Sequence, residues 1–523
     1  MRKAFRQVIR IGAALVAFVG LVGAGEPVAT PPAALPPIVF VARDAASGAA
    51  AGQIPGLGPH GTFVVGRGGL FERASDGTVR RLVPERRFVD VADPVVSGNG
   101  ERVAFAGFDR AVGHWRIYEV ARVGTSEPRC LTCGPPGLDP PADDADPCWY
   151  GDTLLFVTTR AGGRALYGNA PLTQLAWLAP GDRVRIVSHE ANGVLDPSCD
   201  AATHEVVFSR WWFNPWRSAA EGGLTRDRSH ALTPDSVNQW QMVVAALSRD
   251  SRGQPALAAM RLAAGGVIPR RRGSGVQPAP AERGMFAVTT LNMGLSPQPG
   301  TTSLQSFARR LVPGQRISGA AIADDAADAY ADTRNLRAPG AVSPVVLADG
   351  RIIASLDPGG RGDFGLWLVS ADGETRERVL DWPGSLELDA AVVPASARAV
   401  STPSTRLAIV RDDTLRTFVY DALDLYGGKG APPRTSGARL HVYRLVNADS
   451  IERIRDVAVP NSGRVLLQLP ADTPLFEQLV GPDGRALRSA HGPAQVRGFN
   501  SGARGSRATC TGCHLGHTTL GPR

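Results

Sequence analysis

Charged and aromatic residues are scarce in this chain of 523 residues. Charged side chains make up 20% of the sequence and aromatic side chains 6%, whereas glycine (60) and proline (41) are abundant. This composition favours many short strands joined by turns over long helices. The net charge of +8 is spread thinly, and its densest run, Arg270–Arg272, lacks the interleaved aromatic residues of a nucleic-acid site. We therefore expect no nucleic-acid partner.

Apolar stretches long enough to cross a membrane are missing beyond the N-terminus. At the N-terminus, basic residues between Arg2 and Arg10 precede the apolar run Ile11–Val22, and the small residues Val22–Ala24 follow, which is the pattern of an export signal. No cysteine lies near the cleavage position, which argues against a lipoprotein. We predict a signal peptide over residues 1–24, with an uncleaved anchor as the alternative. The mature protein is expected in the periplasm or otherwise exported, without a stable membrane span.

Cysteine is also scarce, with six residues, but two of them belong to a recognisable motif. The sequence Cys510-Thr511-Gly512-Cys513-His514 has the C-x-x-C-H spacing of covalent c-type haem attachment. The two thiols bond the haem vinyl groups, and the adjacent histidine then binds the iron. In an exported chain this predicts one haem c, with Cys510 and Cys513 as thioether residues and His514 as proximal ligand. A disulfide or a chance match is the alternative.

The sixth ligand of such an iron is not settled by the sequence. No methionine follows Met293, so no downstream methionine is available as an axial ligand. His491 can fold back from the preceding loop and is our candidate distal ligand. His517 would start on the proximal side, and His441 lies on a predicted strand and is interpreted as structural. An open sixth position would allow small-molecule binding, whereas a ligated one would favour electron transfer.

The other four cysteines, Cys130, Cys133, Cys148 and Cys199, allow two interpretations. An even number of cysteines in an exported protein most often forms disulfides. Cys130 and Cys133 could close a small ring, and Cys148 and Cys199 follow equivalent turns in consecutive repeats. The alternative is a thiolate metal site, such as zinc, although the paired C-x-x-C motifs of a closed zinc site are missing.

A short phrase recurs along the chain: an Asp-Pro or Ser-Pro pair, a turn, and an apolar strand. The copies start at Asp93, Asp146, Asp196 and Ser343, which are separated by 53, 50 and 147 residues. A period near 50 residues with several short strands is typical of a β-propeller blade. The longest gap spans about three periods and predicts two degenerate copies, with Gly284–Val288 as a candidate strand. Unrelated β-sandwich modules are the alternative.

The predicted fold is therefore all-β, in two parts. A β-propeller of six or seven blades is assigned to residues 38–426. After a Gly/Pro-rich linker, residues 435–523 carry alternating strands near 438–445, 464–469 and 476–480, separated by turn signals. This pattern predicts a small β-sandwich-like module, in which residues 485–509 form a long loop that leads to the haem-binding segment.

Several of these phrases carry a family resemblance. The Asp-Pro repeats resemble those of TolB-type propellers. Asp146–Trp149, Phe208–Trp212 and Thr509–His514 together resemble the hydrazine synthase alpha subunit and its relatives, which implies a propeller combined with C-terminal c-type haem. That family carries a second haem in a further C-terminal domain. Because the sequence ends nine residues after His514, we expect one haem here, and hydrazine synthesis is not carried over.

An aromatic cluster, Trp211–Trp216, stands out in a chain with so few aromatic residues. It is interpreted either as propeller core and inter-blade packing, or as a wall that shields the haem or lines a substrate cavity. Asn238–Gln241 could join it.

Two functions follow from these patterns. The first is an exported c-type haem redox protein, with its haem between the propeller and the C-terminal module. Its reactant would be a redox partner protein or a small molecule. Whether it is an oxidoreductase that turns over substrate is left open. The alternative is a non-catalytic propeller that binds or assembles partners, with a structural or relay haem. A third, weaker option is a TolB-like scaffold without haem. The chain has neither a phosphate-binding loop nor a nucleophile elbow.

Overall fold

The computed structural model describes residues 34–44, 54–124, 126–134, 140–200, 204–228, 238–249, 255–264, 275–279, 283–289, 302–309, 330–395, 416–427, 431–490 and 492–512. These residues form strands, turns and loops without a helix, in agreement with the predicted all-β class. Consequently, no helix in these ranges has the length and hydropathy that a membrane crossing requires.

The described part of the chain contains 34 strands. The first seventeen are β1 Ile38–Asp44, β2 Gly68–Arg73, β3 Val79–Arg81, β4 Phe88–Val96, β5 Arg102–Asp109, β6 Trp115–Ala121, β7 Arg129–Cys130, β8 Asp144–Tyr150, β9 Thr153–Thr158, β10 Gln174–Leu178, β11 Arg185–Ile186, β12 Val194–Asp200, β13 Glu205–Phe213, β14 Trp216–Ser218, β15 Leu224–Arg226, β16 Asn238–Arg249 and β17 Pro255–Ala264. The others are β18 Gly275–Ala279, β19 Arg283–Thr289, β20 Thr302–Arg309, β21 Tyr330–Pro339, β22 Ala341–Val346, β23 Ile352–Leu356, β24 Gly365–Val369, β25 Arg376–Leu380, β26 Ser385–Val392, β27 Thr417–Asp424, β28 Arg439–Asn447, β29 Ser450–Ala458, β30 Val465–Pro470, β31 Leu475–Val480, β32 Arg488–Ser489, β33 Gly492–Pro493 and β34 Arg507–Thr511.

Six antiparallel sheets of four strands occupy the chain up to β26. Five of them follow chain order: β4-β5-β6-β7, β8-β9-β10-β11, β12-β13-β16-β17, β18-β19-β20-β21 and β22-β23-β24-β25. The sixth, β26-β1-β2-β3, joins the last strand of this region to the first. The leading strands of successive sheets, β4, β8, β12, β18, β22 and β26, contact one another in turn. The arrangement is propeller-like.

The repeat spacing predicts strand positions well, but the described residues contain fewer repeats than it predicted. The candidate strand Gly284–Val288 lies within β19. Between Asp196 and Ser343, however, the described residues contain one further four-stranded sheet, where the spacing predicted two. The sheet that begins at β12 uses more chain, because β16 and β17 have 12 and 10 residues and the β14–β15 pair is inserted.

Each repeat start has the same local backbone. Asp93, Asp146, Asp196 and Ser343 have φ angles of 52°, 48°, 52° and 50°, in the left-handed region that Asp adopts more readily than most residues. Each lies where the register shifts in the first strand of its sheet. Asp389 in β26 has the same geometry, with φ 53°, but no proline follows it, so the repeat search missed it.

Two three-stranded sheets make up the C-terminal part, in the orders β30-β27-β34 and β29-β28-β31. Their inward side chains form one apolar cluster, contributed by β27, β28, β30, β31 and β34. β34 runs parallel to β27, and every other pair in these sheets is antiparallel. β27 precedes the predicted module boundary at residue 435, yet its hydrogen-bond partners lie after it. Between residues 485 and 506, the described residues form only the two-residue strands β32 and β33.

Candidate haem-attachment site

The first cysteine of the C-x-x-C-H motif lies on an ordered strand. Cys510 belongs to β34 and pairs with Ala422 of β27. Its side chain faces the C-terminal apolar cluster, and the residue is 7% exposed. The thiol donates a hydrogen bond to the Tyr420 hydroxyl, at 3.3 Å. Cys510 is therefore held in place from the side of β27.

The backbone after Cys510 is fixed as far as Gly512. Gly512 has φ 79°, a conformation that costs glycine nothing but would strain most other residues. Its N–H donates to the carbonyl oxygen of Asp424, at 2.7 Å. The predicted ligand residues Cys513, His514 and His491 lie outside the described residues, as does His517.

Burial raises the pKa of the Cys510 thiol to about 12, and the nearby charges of Glu477 and Asp421 act in the same direction, against the Tyr420 hydrogen bond. The thiol is therefore neutral near pH 7 and, once packed, a poor nucleophile.

The surroundings of Cys510 suit a covalent haem. Cys510 is a free thiol, whereas the other described cysteines are bonded to one another. The side chains packed with it are mostly apolar, as the edge of a porphyrin requires; they include Tyr420, Ala422, Leu440 and Ala508. A free thiol, apolar packing and a motif that continues to a histidine are the features that attachment needs.

Sequence reasoning missed one buried acid next to this cysteine. Glu477 of β31 is 3% exposed, and its Oε2 accepts no hydrogen bond within the described ranges. Burial raises its pKa to about 7. Strand alternation could have revealed it, because Glu477 takes the inward phase between Leu475 and Leu479, both members of the C-terminal cluster.

The four remaining cysteines form two disulfides. Cys130 bonds to Cys133, and Cys148 bonds to Cys199, with a Cα–Cα distance of 5.7 Å in each pair. The second bond joins β8 to β12 and so links neighbouring sheets. This pairing matches the first of the two interpretations. Within the described residues, no group of three His, Cys, Asp or Glu side chains is placed to hold a metal ion.

His441 lies on the face of β28 opposite the Cys510 cluster. Leu440 and Val442 point into that cluster, whereas the His441 ring lies 3.3 Å from the Tyr443 hydroxyl and 3.4 Å from an Asp456 carboxylate oxygen. Burial lowers the pKa of His441. These contacts give it a packing role on the β28–β29 pair.

The aromatic cluster connects the propeller-like sheets to the C-terminal part. Trp212 packs directly against Gly498, where an added Cβ would overlap the indole. Asn214 Nδ2 donates to the Val496 carbonyl oxygen at 3.3 Å, and Trp216 meets Phe499 edge to face at 6.2 Å between ring centroids. The Trp211 ring stacks on Trp240, at 5.4 Å, so the Asn238–Gln241 segment does join the cluster.

A second group of acids, one buried and three half-buried, lies where the leading strands of the sheets meet. The Asp146 N–H donates to the Asp93 carboxyl at 3.2 Å, and the Asp196 N–H donates to the Asp146 carboxyl at 3.0 Å. The Ser343 hydroxyl donates to Asp389 at 2.7 Å. We call Asp93, Asp146, Asp196 and Asp389 the inter-sheet aspartates.

Burial favours the protonated form of three of these acids, Asp93, Asp146 and Asp389. It raises the pKa of Asp93 well above its ordinary value, with the neighbouring Asp146 and Asp389 adding to the effect. It raises the pKa of Asp146 to about 8, with the charge of Asp196 adding. The pKa of Asp389 is also raised by burial. The charge of Arg43 acts against this rise at Asp389, but Arg43 is itself bound to Asp90, with Nε–Oδ1 at 3.1 Å. These acids thus act as hydrogen-bonding spacers between sheets.

No protein-family model and no curated protein matches the chain. Among solved structures, it is similar to hydrazine synthase from Kuenenia stuttgartiensis, with a TM-score of 0.61 and 14% identity over 92% of this chain and 69% of that one. It also matches an aldose sugar dehydrogenase from Streptomyces coelicolor in its PQQ-bound form, with a TM-score of 0.33 and 12% identity over 68% and 98% of the two chains. A gluconolactonase from Xanthomonas campestris matches with a TM-score of 0.34 and 13% identity over 64% of this chain and 94% of that one. The first similarity supports a propeller-like fold.

Proposed function

We propose that this protein is an exported c-type haem redox protein. The observation that carries the proposal is Cys510: it opens a C-x-x-C-H motif, it is a free thiol, and it sits in an apolar core beside the propeller-like sheets. Cys510 and Cys513 would hold the haem by thioether bonds, and His514 would bind its iron. His491 is our candidate for the distal ligand.

When bound, the haem would supply one-electron chemistry. The residues of the chain itself would set its surroundings. Tyr420 now accepts a hydrogen bond from the Cys510 thiol. A thioether has no S–H to donate, so the Tyr420 hydroxyl would instead orient the sulfur by donating its own O–H to it. The apolar residues of the C-terminal cluster would exclude water from the attached edge. The Trp212–Gly498 contact would hold the preceding loop against the propeller.

The propeller-like sheets are proposed to close into six blades. The pairing of β26 with β1 in one sheet, and the serial contacts of the leading strands, support a ring of this size. In the proposed division, residues 38–426 form the propeller and residues 435–523 the C-terminal haem module, to which β27 adds a strand.

Export would follow from a signal peptide at residues 1–24, and the proposed compartment is the periplasm. The two disulfides agree with an oxidising compartment. The reactant would be a redox partner protein or a small molecule.

Visible absorption spectra test the proposal directly. The full-length protein is produced in a periplasm with haem-attachment machinery and recorded oxidised, reduced, and reduced with carbon monoxide. Haem absorbance that survives denaturation and extraction is expected. A low-spin reduced spectrum unmoved by carbon monoxide would indicate electron transfer, and a spectrum that shifts would indicate an open iron. Absence of covalent haem would overturn the proposal.

A second candidate function is a non-catalytic binding or assembly protein with a structural haem. The burial of Cys510 favours this variant, because a thioether in that position would itself be part of the core packing. A low-spin haem whose removal by Cys510→Ala unfolds the C-terminal sheets would support it.

A further inference from the structure

Glu477 is a buried acid that the proposed attachment of haem leaves unused. Its side chain lies on the inward face of β31, with Leu475 and Leu479 on either side along the strand. Val442 is its cross-strand neighbour on β28. A carboxyl group in such apolar surroundings costs stability when ionised, and burial raises its pKa to about 7.

No counter-charge compensates Glu477 among the described residues. Its Oε2 has no hydrogen-bond partner there, and its own backbone N–H is the only group that favours the ionised form. Asp421 of β27 is equally buried but differs in this respect. It is paired with Arg464 at 3.4 Å and with Arg507 at 2.9 Å. Glu477 is thus free to change its protonation without breaking an ion pair.

Glu477 is close enough to Cys510 for its charge to act on the thiol. The negative charge of Glu477 helps to raise the pKa of Cys510. The other ionisable groups on β27 and β34 are Tyr420, Asp421, Asp424 and Arg507. Asp421 is paired with Arg464 and Arg507, and Asp424 is paired with Arg434. From β28 the groups facing Glu477 are apolar, since His441 and Tyr443 lie on the opposite face.

We propose that the Glu477 carboxylate binds one proton from solvent on each one-electron reduction at the haem site and releases it on oxidation. This inference rests on the proposed function. The electron comes from a redox partner and takes the iron from the ferric to the ferrous state. One O–H bond forms at Glu477 as one O–H bond of a solvent hydronium ion breaks. The physical cause is electrostatic, because an electron added nearby in a medium of low dielectric constant raises the proton affinity of an unpaired carboxylate.

The pH dependence of the midpoint potential tests this inference. Full-length, haem-loaded protein is titrated by spectroelectrochemistry across neutral pH. We expect the wild-type potential to fall as pH rises, with a slope approaching about 59 mV per tenfold change in proton concentration, the value for one proton per electron. Glu477→Gln, which keeps the shape but cannot ionise, is expected to flatten this slope.

Glu387→Gln is the matched control. Burial raises the pKa of Glu387 to about 7 as well, but this acid lies on β26 among Trp382, Ser385 and other propeller residues. The control is expected to keep the wild-type slope. A slope unchanged by Glu477→Gln, or equally flattened by Glu387→Gln, would overturn the inference while leaving the proposed haem function intact.

Infrared difference spectra of the wild-type protein give a second readout. Reduction of the wild-type protein should add a band of a protonated carboxylic acid, and this band should be lost in Glu477→Gln. If the wild-type spectrum shows no such band, Glu477 does not take up the proton. Failure to attach haem at all would instead overturn the proposed function.

Discussion

The backbone N–H of Asp196 donates a 3.0 Å hydrogen bond to the carboxyl group of Asp146, a residue of the preceding sheet. The N–H of Asp146 makes the equivalent bond to Asp93, at 3.2 Å. The recurring Asp-Pro phrase is therefore a joint between sheets as well as a turn signal. Its spacing of about 50 residues is the length of chain that one four-stranded sheet consumes.

This joint predicts different effects for two substitutions at Asp146. Asp146→Ala removes the acceptor of the Asp196 N–H hydrogen bond and places alanine at φ 48°. We expect the free energy of unfolding to fall by about 2–4 kcal/mol. Asp146→Asn keeps an acceptor oxygen and a side chain that tolerates this φ, so it should stay near the wild type. Equilibrium urea denaturation measures both, and equal losses would contradict the assigned role.

Stability should also depend on pH in a defined direction. Burial raises the pKa of Asp146 to about 8 and raises those of Asp93 and Asp389, whereas the unfolded chain releases these protons near pH 4. Between these values the folded state binds more protons than the unfolded state. The free energy of unfolding must therefore be greatest at the acidic end of the window and fall as pH rises towards 8.

Thermal unfolding midpoints at several pH values check this sign. Glu387 and Glu477 act in the same direction, so the slope belongs to several groups. Asp146→Asn removes one of them and should make the slope shallower. Stability that rises from pH 5 to pH 8 would show that these acids are ionised in the folded protein.

The two disulfides should differ in their contribution to stability. Cys148–Cys199 closes a segment with a sequence separation of 51, whereas Cys130–Cys133 has a separation of 3. In the chain-entropy description, these loops correspond to about 4 and about 2 kcal/mol. Paired serine substitutions at each bond, followed by guanidinium denaturation, measure the difference. A larger loss of unfolding free energy for Cys130–Cys133 would mean that local packing, and not loop closure, determines how much each disulfide stabilises the protein.

The contact between propeller-like sheets and C-terminal part depends on a missing side chain. In Gly498→Ala, the new methyl group would overlap the Trp212 indole, so the two parts must move apart. We expect a loss of about 1–3 kcal/mol, as for other overpacked interiors. Gly359→Ala is the control, since its Cβ would have ordinary contacts of 3.6 Å with Arg361. Thermal unfolding compares them, and equal midpoints would argue against a tight interface.

The sequence alone predicts much of this fold because its signals are local. Asp-Pro turns and alternating apolar residues identified β28 and the joints at Asp93, Asp146 and Asp196. Between Asp196 and Ser343 the described residues contain one further four-stranded sheet where the spacing predicted two, and the long strands β16 and β17 depart from the average length.

Local sequence signals do not reveal contacts between segments that are distant in the chain. Asp389 shares the joint geometry, but without a proline its position could only be recognised from the partner sheets. The parallel pairing of β27 with β34 brings together residues that lie about 90 positions apart in the chain, and no turn links the two strands. Glu477 looks like an ordinary strand residue until the second sheet covers it.

The sheet that unites β26 with β1 has a consequence for the order of folding. Residues 38–44 emerge from the ribosome more than 300 residues before their second partner, residues 385–392. Until then one edge of the apolar strand Ile38–Val41 offers unpaired N–H and C=O groups, which is a template for aggregation. The nascent chain therefore needs protection, by a chaperone or by delayed folding, until the closing strand arrives.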